Sequence, residues 1–154
     1  MQGAVVTVVI APDSFKGSAT AEQAAEAIAE GWRSVRPDDR LMVIPQADGG
    51  EGTVDAMARA VSGAVLHEVR ATGPDGRPTV ARWLELPDGV AVIDFAESSG
   101  LPLMSSLDPL GATSFGVGEV IRDALTHGTD SLVIGVGGSA STDGGTGALS
   151  ALGL

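Results

Sequence analysis

Gly135-Val136-Gly137-Gly138-Ser139-Ala140-Ser141-Thr142-Asp143-Gly144-Gly145-Thr146-Gly147 follows an apolar run, Leu132-Val133-Ile134, and precedes a helix-forming segment. The apolar run reads as a buried strand, so the glycines fall where a strand gives way to a helix. Six glycines in thirteen residues let the backbone approach a ligand closely and present its N–H groups. Ser139, Ser141 and Thr142 add hydroxyls and Asp143 a carboxylate, a set suited to a phosphate with its metal ion. Two other loops repeat the design. Ala11-Pro12-Asp13-Ser14-Phe15-Lys16-Gly17-Ser18 follows the β-branched run of residues 4–10, and Pro45-Gln46-Ala47-Asp48-Gly49-Gly50-Glu51-Gly52 follows the apolar run of residues 41–44.

Each loop leads into a helical pattern. Thr20 and Gln23 have capping-box spacing. Ala21, Ala24, Ala25, Ile28, Trp32 and Val35 then recur at helical intervals until Pro37. A second helix is predicted over residues 53–61, with Gly63 past its end. Between residues 64 and 95 the texture changes. Three strand-like runs, 65–71, 79–86 and 90–95, are separated by the turn clusters Thr72-Gly73-Pro74-Asp75-Gly76-Arg77-Pro78 and Pro87-Asp88-Gly89. A helix is predicted from Thr113 or Ser114 to about His127, with Val117, Val120, Ile121, Ala124 and Leu125 inward and Gly128 beyond it. Strands alternating with helices predict an α/β fold, an open and largely parallel sheet with helices on both faces. The antiparallel meander of residues 64–95 is added to it. The expected organisation is an α/β part at 1–63 and 96–154 that carries the loops, and a strand-rich excursion at 64–95 that could belong to a second domain.

Composition narrows the function. Hydrophobic residues make up 44% of the 154, enough for a core, but aromatics only 3%. The core is therefore expected from Val, Ile, Leu and Ala. The formal net charge of −11 argues against a nucleic-acid backbone or an anionic membrane as partner. Small anions stay open to it, since backbone amides and a divalent cation overcome an acidic surface locally. The absence of cysteine removes disulfides and thiolate chemistry. The N-terminus, Met1-Gln2-Gly3-Ala4-Val5-Val6, has no basic leader pattern, and no apolar run reaches membrane-spanning length. The expectation is a cytoplasmic protein, for which a homo-oligomer is open.

In open α/β sheets ligands bind beyond the carboxyl ends of the strands, where all three loops lie. Their contents are complementary. The first holds Asp13, Ser14 and Lys16, the sole lysine; the second holds Asp48 and Glu51; the third holds Ser139, Ser141, Thr142 and Asp143. Carboxylates hold Mg²⁺, a lysine offsets phosphate charge, amides cradle oxygens and a carboxylate accepts the proton of an attacking hydroxyl. Structural roles compete for the same residues: Asp48, Glu51 and Asp143 also suit helix N-termini. His67 is expected to face solvent, and Arg70, Arg77 and Arg82 to form a solvated face around the hairpin. Lys16 is followed by Gly17, so the first loop is not a P-loop. The 135–140 stretch fits the relaxed dinucleotide pattern, but the ribose-binding acid expected about 20 residues on would fall beyond Leu154.

As a set these residues resemble the motifs of the bacterial glycerate kinases of class I. The resemblance is carried by residues 11–18, Ala47-Asp48-Gly49-Gly50-Glu51-Gly52-Thr53, Thr113-Ser114-Phe115-Gly116-Val117-Gly118-Glu119 and residues 135–147, in that order. It implies transfer of the ATP γ-phosphoryl group to D-glycerate with Mg²⁺, in a two-domain fold more than twice this length. The chain is then expected to be the N-terminal portion of such an enzyme, not active by itself. Asp13 and Lys16 are expected near the transferred phosphate. Asp48 and Glu51 are expected at Mg²⁺ or the glycerate hydroxyl, with Asp13, Lys16 and Asp48 as the catalytic set. Ser14, Gly49, Gly50, Gly137, Gly138, Ser139, Thr142 and Asp143 are expected to bind substrate or phosphate. The alternatives are a dinucleotide-binding oxidoreductase domain and a non-catalytic small-anion-binding fragment.

Overall fold

The computed structural model describes residues 4–154; Met1, Gln2 and Gly3, part of the N-terminus read above, lie outside the described residues. The chain divides into two units, Met1–Asp48 and Gly49–Leu154.

The first unit is a β–α–β element. β1 (Thr7–Ile10) and β2 (Arg40–Val43) pair in parallel, with Ile10 opposite Val43. α1 (Ala21–Val35) joins them. Its start is fixed as the sequence predicts: the Gln23 N–H donates to Thr20 Oγ1 at 3.2 Å, and the Thr20 N–H donates to Gln23 Oε1 at 2.9 Å. Ala24, Ala25 and Ala29 are its buried residues, and Ala25 and Ala29 pack with Ile10, Val8, Leu41 and Val43. Small side chains allow that approach, which leaves Ile28, Trp32 and Val35 exposed. Only one face of this pair is covered by α1, so Val9 and Met42 on the other face are exposed. β1, although a continuous β-branched run, is therefore buried on one face only. Past the helix, Asp39 gathers donors from Arg36, from Trp32 Nε1 at 3.0 Å and from the Val6 N–H at 3.2 Å. That network closes the turn into β2.

The second unit is built on one mixed sheet. β3 (Val65–Thr72), β4 (Pro78–Glu85), β5 (Val90–Asp94) and β6 (Ser131–Gly135) lie in that order. β3, β4 and β5 are the antiparallel meander, and β5 pairs with β6 in parallel. The strand-rich section expected as an excursion is thus continuous with the strand that feeds the third glycine-rich loop. Side chains alternate across the sheet. Trp83 and Ile93 turn to one face and pack with Val117, Val120, Ile121 and Ala124 of α4 (Phe115–Thr126). Leu84 and Val92 turn to the other face and pack with Val54 of α2 (Thr53–Ala60). Both faces are covered, as the α/β class requires. Trp83 is wholly buried, and its Nε1 donates to Asp123 Oδ2 at 2.8 Å, so its one polar atom is satisfied. α3 (Phe95–Ser99) follows β5 directly and runs into a 3-10 turn at Leu101–Leu103. α5 (Thr146–Ala151) packs on α4. The close approach needs glycine: a Cβ at Gly116 would collide with the Thr72 carbonyl, and one at Gly118 with the Ala148 carbonyl. Among the described residues no helix is long and apolar enough to cross a membrane.

Candidate phosphoryl-transfer site

In the first unit, parallel pairing sends two loops off the same end of the strands. The ladder continues past β1 and β2: the Ile44 N–H donates to Ile10 O at 2.8 Å, and the Gln46 N–H donates to Pro12 O at 2.9 Å. The first loop and the start of the second therefore run side by side. Asp13 Oδ1 accepts from the Ser14 N–H at 2.5 Å. Lys16 occupies the tip of a tight turn that Phe15 and Ala19 close, with N–H to carbonyl distances of 2.9 and 3.1 Å. Gly17 takes φ +77° there, a conformation glycine adopts without strain. The Lys16 side chain is exposed and so is Asp48.

In the second unit, the rest of the second loop meets the third. The Gly137 N–H donates to Gly49 O at 2.8 Å. A Cβ at Gly135 would lie 2.6 Å from Gly49 O, and one at Gly137 would lie 2.6 Å from the Gly50 Cα. Backbone here packs directly on backbone. The third loop is also tied to the segment after β5. The Leu101 N–H donates to Gly138 O, and the Ala140 N–H to Ser99 O, both at 2.9 Å. Gly49, Gly50, Gly137, Gly138 and Ser139 are thereby held around the carboxyl ends of β5 and β6. No side chain caps α2, whose N-cap is Gly52 at φ +90°, so Glu51 makes no capping bond there.

Asp143 is the organising residue of the far half of the third loop. Its Oδ2 accepts from the Ser114 N–H at 2.9 Å, the Ser114 Oγ–H at 2.8 Å and the Gly147 N–H at 3.1 Å; Oδ1 accepts from the Gly145 N–H at 3.1 Å. Burial pushes its carboxyl up, but these donors outweigh burial and bring it down to about 2. The Ser114 Oγ in turn accepts from the Ala148 N–H at 3.0 Å. Thr113-Ser114 and the third loop are thus one hydrogen-bonded assembly. Thr142 Oγ1 donates to Pro109 O, and Ser139 Oγ reaches Ser141 O at 3.3 Å.

The sequence reading did not place Asp94 in the site. It ends β5, is 1% exposed, and accepts the Ala96 N–H at 2.9 Å through Oδ1. Burial pushes its carboxyl up to about 6; the Ala96 N–H opposes the rise, Glu97 adds to it, and the Thr53 and Gly52 amides oppose it. Those two amides do not close a hydrogen bond on Oδ2, which has no partner. Asp94 lines a cleft of about 300 Å³ with Glu51, Gly52, Glu97, Val80 and Leu103. A signal was present in the sequence: a carboxylate directly after the apolar run Val90-Ala91-Val92-Ile93, at a strand's carboxyl end. Of the basic residues around the hairpin, Arg70 and Arg77 are exposed as expected, whereas Arg82 is half-buried. Arg82 pairs with Asp55 at 2.9 Å and with Glu97, and Arg77 pairs with Asp75. His67 is not a solvent-facing residue: it stacks on Trp83 with ring centroids 4.2 Å apart and meets Glu85 at 2.9 Å.

Among the described residues no three His, Asp or Glu side chains converge as a metal cage. Asp48 and Glu51, the carboxylates expected to hold a divalent cation, are both exposed, and a cation that keeps much of its water shell needs only one or two carboxylates.

A sequence profile described as the glycerate kinase family matches residues 8–154. The chain belongs to the glycerate kinase family. It is 48% identical over 149 residues to a glycerate 2-kinase of Escherichia coli K12, and 47% identical over 149 residues to a glycerate kinase of Bacillus subtilis 168. Each alignment covers 95% of this chain and 39% of the relative. A crystal structure assigned to a glycerate kinase 2 of Salmonella typhimurium LT2 superposes with a TM-score of 0.74 at 44% identity, covering 97% of this chain and 41% of that one. This glycerate kinase family chain therefore spans about two fifths of the length of the relatives it matches. All four motif stretches lie inside the matched residues. The dinucleotide alternative finds no support in the glycerate kinase family chain. Its 135–140 stretch does not open a helix, because α5 begins only at Thr146 and the Ala140 N–H is bound to Ser99.

Proposed function

We propose that this chain supplies the glycine-loop part of a kinase that transfers the ATP γ-phosphoryl group to a hydroxyl of D-glycerate, with Mg²⁺ as the divalent cation. The observation that carries the reading is the backbone junction of the second and third loops, Gly137 N–H to Gly49 O at 2.8 Å, at the carboxyl ends of β5 and β6. That junction packs two glycine-rich turns at the strand ends, a setting whose remaining amides favour phosphate oxygens. The name of the Escherichia coli relative, glycerate 2-kinase, makes the 2-hydroxyl the acceptor in this proposal.

In the transfer, the acceptor oxygen forms a bond to the γ-phosphorus while the bond from that phosphorus to the bridging oxygen of ADP breaks. The hydroxyl proton passes to a carboxylate of this chain. Lys16 offsets charge on the phosphoryl oxygens, and Asp13 lies beside it in the same loop. Asp48 and Glu51 are the residues that would hold Mg²⁺, which would offset the negative charge of the phosphoryl oxygens. Asp48 also stands as the proton acceptor. Ser14, Gly49, Gly50, Gly137, Gly138, Ser139, Thr142 and Asp143 shape the phosphate- and substrate-binding surface, Asp143 through its four donors in the third loop.

The test is phosphorus NMR of a reaction with ATP, Mg²⁺ and D-glycerate, run on this chain and on a polypeptide continuing it to the length of the relatives. ATP-dependent 2-phosphoglycerate from the longer polypeptide supports the proposal. ATP hydrolysis with no phosphoglycerate from either refutes it. Asp48→Asn in the active polypeptide is expected to lower kcat by about 10²–10⁴-fold; near-normal turnover removes Asp48 from the site.

A further inference from the structure

We propose that the cleft at the end of β5 binds a hydroxyl group of the phosphoryl acceptor, with Asp94 Oδ2 as the hydrogen-bond acceptor. The inference deepens the kinase reading and rests on it for the identity of the ligand, though not for the existence of the site.

Three observations converge. The first is a carboxylate with an unmet need. Asp94 is 1% exposed, Oδ1 is engaged by the Ala96 N–H, and Oδ2 has no partner. A buried carboxylate oxygen without a donor costs free energy that a ligand donor would recover. The second is the shape and lining of the space it faces. The cleft holds about 300 Å³, with Val80, Ala96, Pro102 and Leu103 as apolar lining and Glu51 among its polar lining. Among its carboxylates Glu97 is already neutralised by Arg82. An acid-lined cleft of this kind repels the phosphate and carboxylate ends of a ligand and accepts its hydroxyl end. The third is location. α3 and the 3-10 turn that flank Asp94 carry the bonds from Leu101 to Gly138 and from Ser99 to Ala140. Glu51 and Gly52, on the cleft's other side, belong to the second loop. Asp94 therefore lies between the two loops whose backbones the kinase reading assigns to phosphate.

The experiment is a titration of the 154-residue chain with D-glycerate, without nucleotide, followed by amide nitrogen–proton NMR. Propionate, which has the carboxylate and no hydroxyl, is the control. Saturable shifts at Gly52, Thr53 and Ala96 with D-glycerate and none with propionate are expected. Asp94→Asn is expected to weaken the affinity about tenfold or more, the loss typical of one hydrogen bond to a charged acceptor. Val80→Phe, at an exposed wall position, is expected to narrow the cleft and weaken binding without touching Asp94. Equal shifts with propionate, shifts confined to other residues, or unchanged affinity in both variants overturns the inference. Cleft shifts in a protein that forms no phosphoglycerate leave the hydroxyl site standing and defeat only the kinase reading. Phosphoglycerate formation with no response at the cleft amides defeats only the placement of the hydroxyl.

Discussion

Asp94→Asn changes one buried atom and tests the electrostatics of the β5 end directly. The folded protein raises the Asp94 carboxyl from 3.8 to about 6, mainly by burial. An acid whose folded value lies above its unfolded value binds its proton more tightly in the folded state. Stability therefore falls as pH rises from the unfolded value through the folded one, and the penalty is complete above it. A rise of this size corresponds to at most about 3 kcal/mol. Asparagine carries no charge and keeps an oxygen for the Ala96 N–H, although that bond becomes weaker. The variant is expected to be more stable than the parent by about 1–3 kcal/mol near pH 7.5, and by much less near pH 4. Trp83, on β4 opposite Ile93 of β5, is wholly buried, so its fluorescence in a Trp32→Phe background reports unfolding in urea. A variant less stable than the parent at the higher pH refutes the reasoning. So does a stability difference that stays constant between the two pH values. Because stability is expected to rise, any loss of ligand binding in the same variant cannot be a loss of fold.

Three further outcomes follow from contacts described above. Gly116→Ala should destabilise the second unit by about 1–3 kcal/mol, since the new methyl meets the Thr72 carbonyl; Gly31→Ala in α1, where the space is open, should stabilise by about 0.5–1 kcal/mol. Urea titration of both variants checks the pair, and equal effects would remove packing as the cause. Asp143→Ala should speed hydrogen exchange at the Ser114, Gly145 and Gly147 amides, which lose their acceptor. Asp143 contributes stability at neutral pH that is lost as pH falls from 3.8 through about 2, and after allowance for solvent screening that contribution is about 1 kcal/mol; a flat acid limb shared by parent and variant would contradict it.

Local signals carried much of the fold. The Thr20–Gln23 box fixed the start of α1 because both of its bonds are made within four residues. The turn clusters placed β3, β4 and β5 to within a residue or two, since Gly76 and Gly89 adopt positive φ where the chain must reverse. Tertiary facts were harder to see. Ile28 and Trp32 share a helical stripe with Ala25, yet only the alanines are buried, because close helix–strand packing selects small side chains over large ones. His67 reads as an outward strand residue until Trp83 is known to lie under it. The glycine-rich loops were legible as a group because glycine is conspicuous. Asp94 was not, because a single carboxylate after an apolar run looks like a strand terminus, and its burial depends on α2 and α3, which are remote from it or formed after it.

The glycine contacts have a consequence for how such loops persist. At Gly135 and Gly137 the obstacle to any other residue is the Gly49–Gly50 backbone, 2.6 Å from where a first side-chain carbon would be. That obstacle exists whether or not nucleotide or glycerate ever enters. Selection for a foldable chain alone is then enough to hold these positions constant. A descendant that had lost its chemistry would keep the glycines and shed the carboxylates first, so drift at Asp13, Asp48 and Asp94 against fixed glycines is the mark of a retired enzyme.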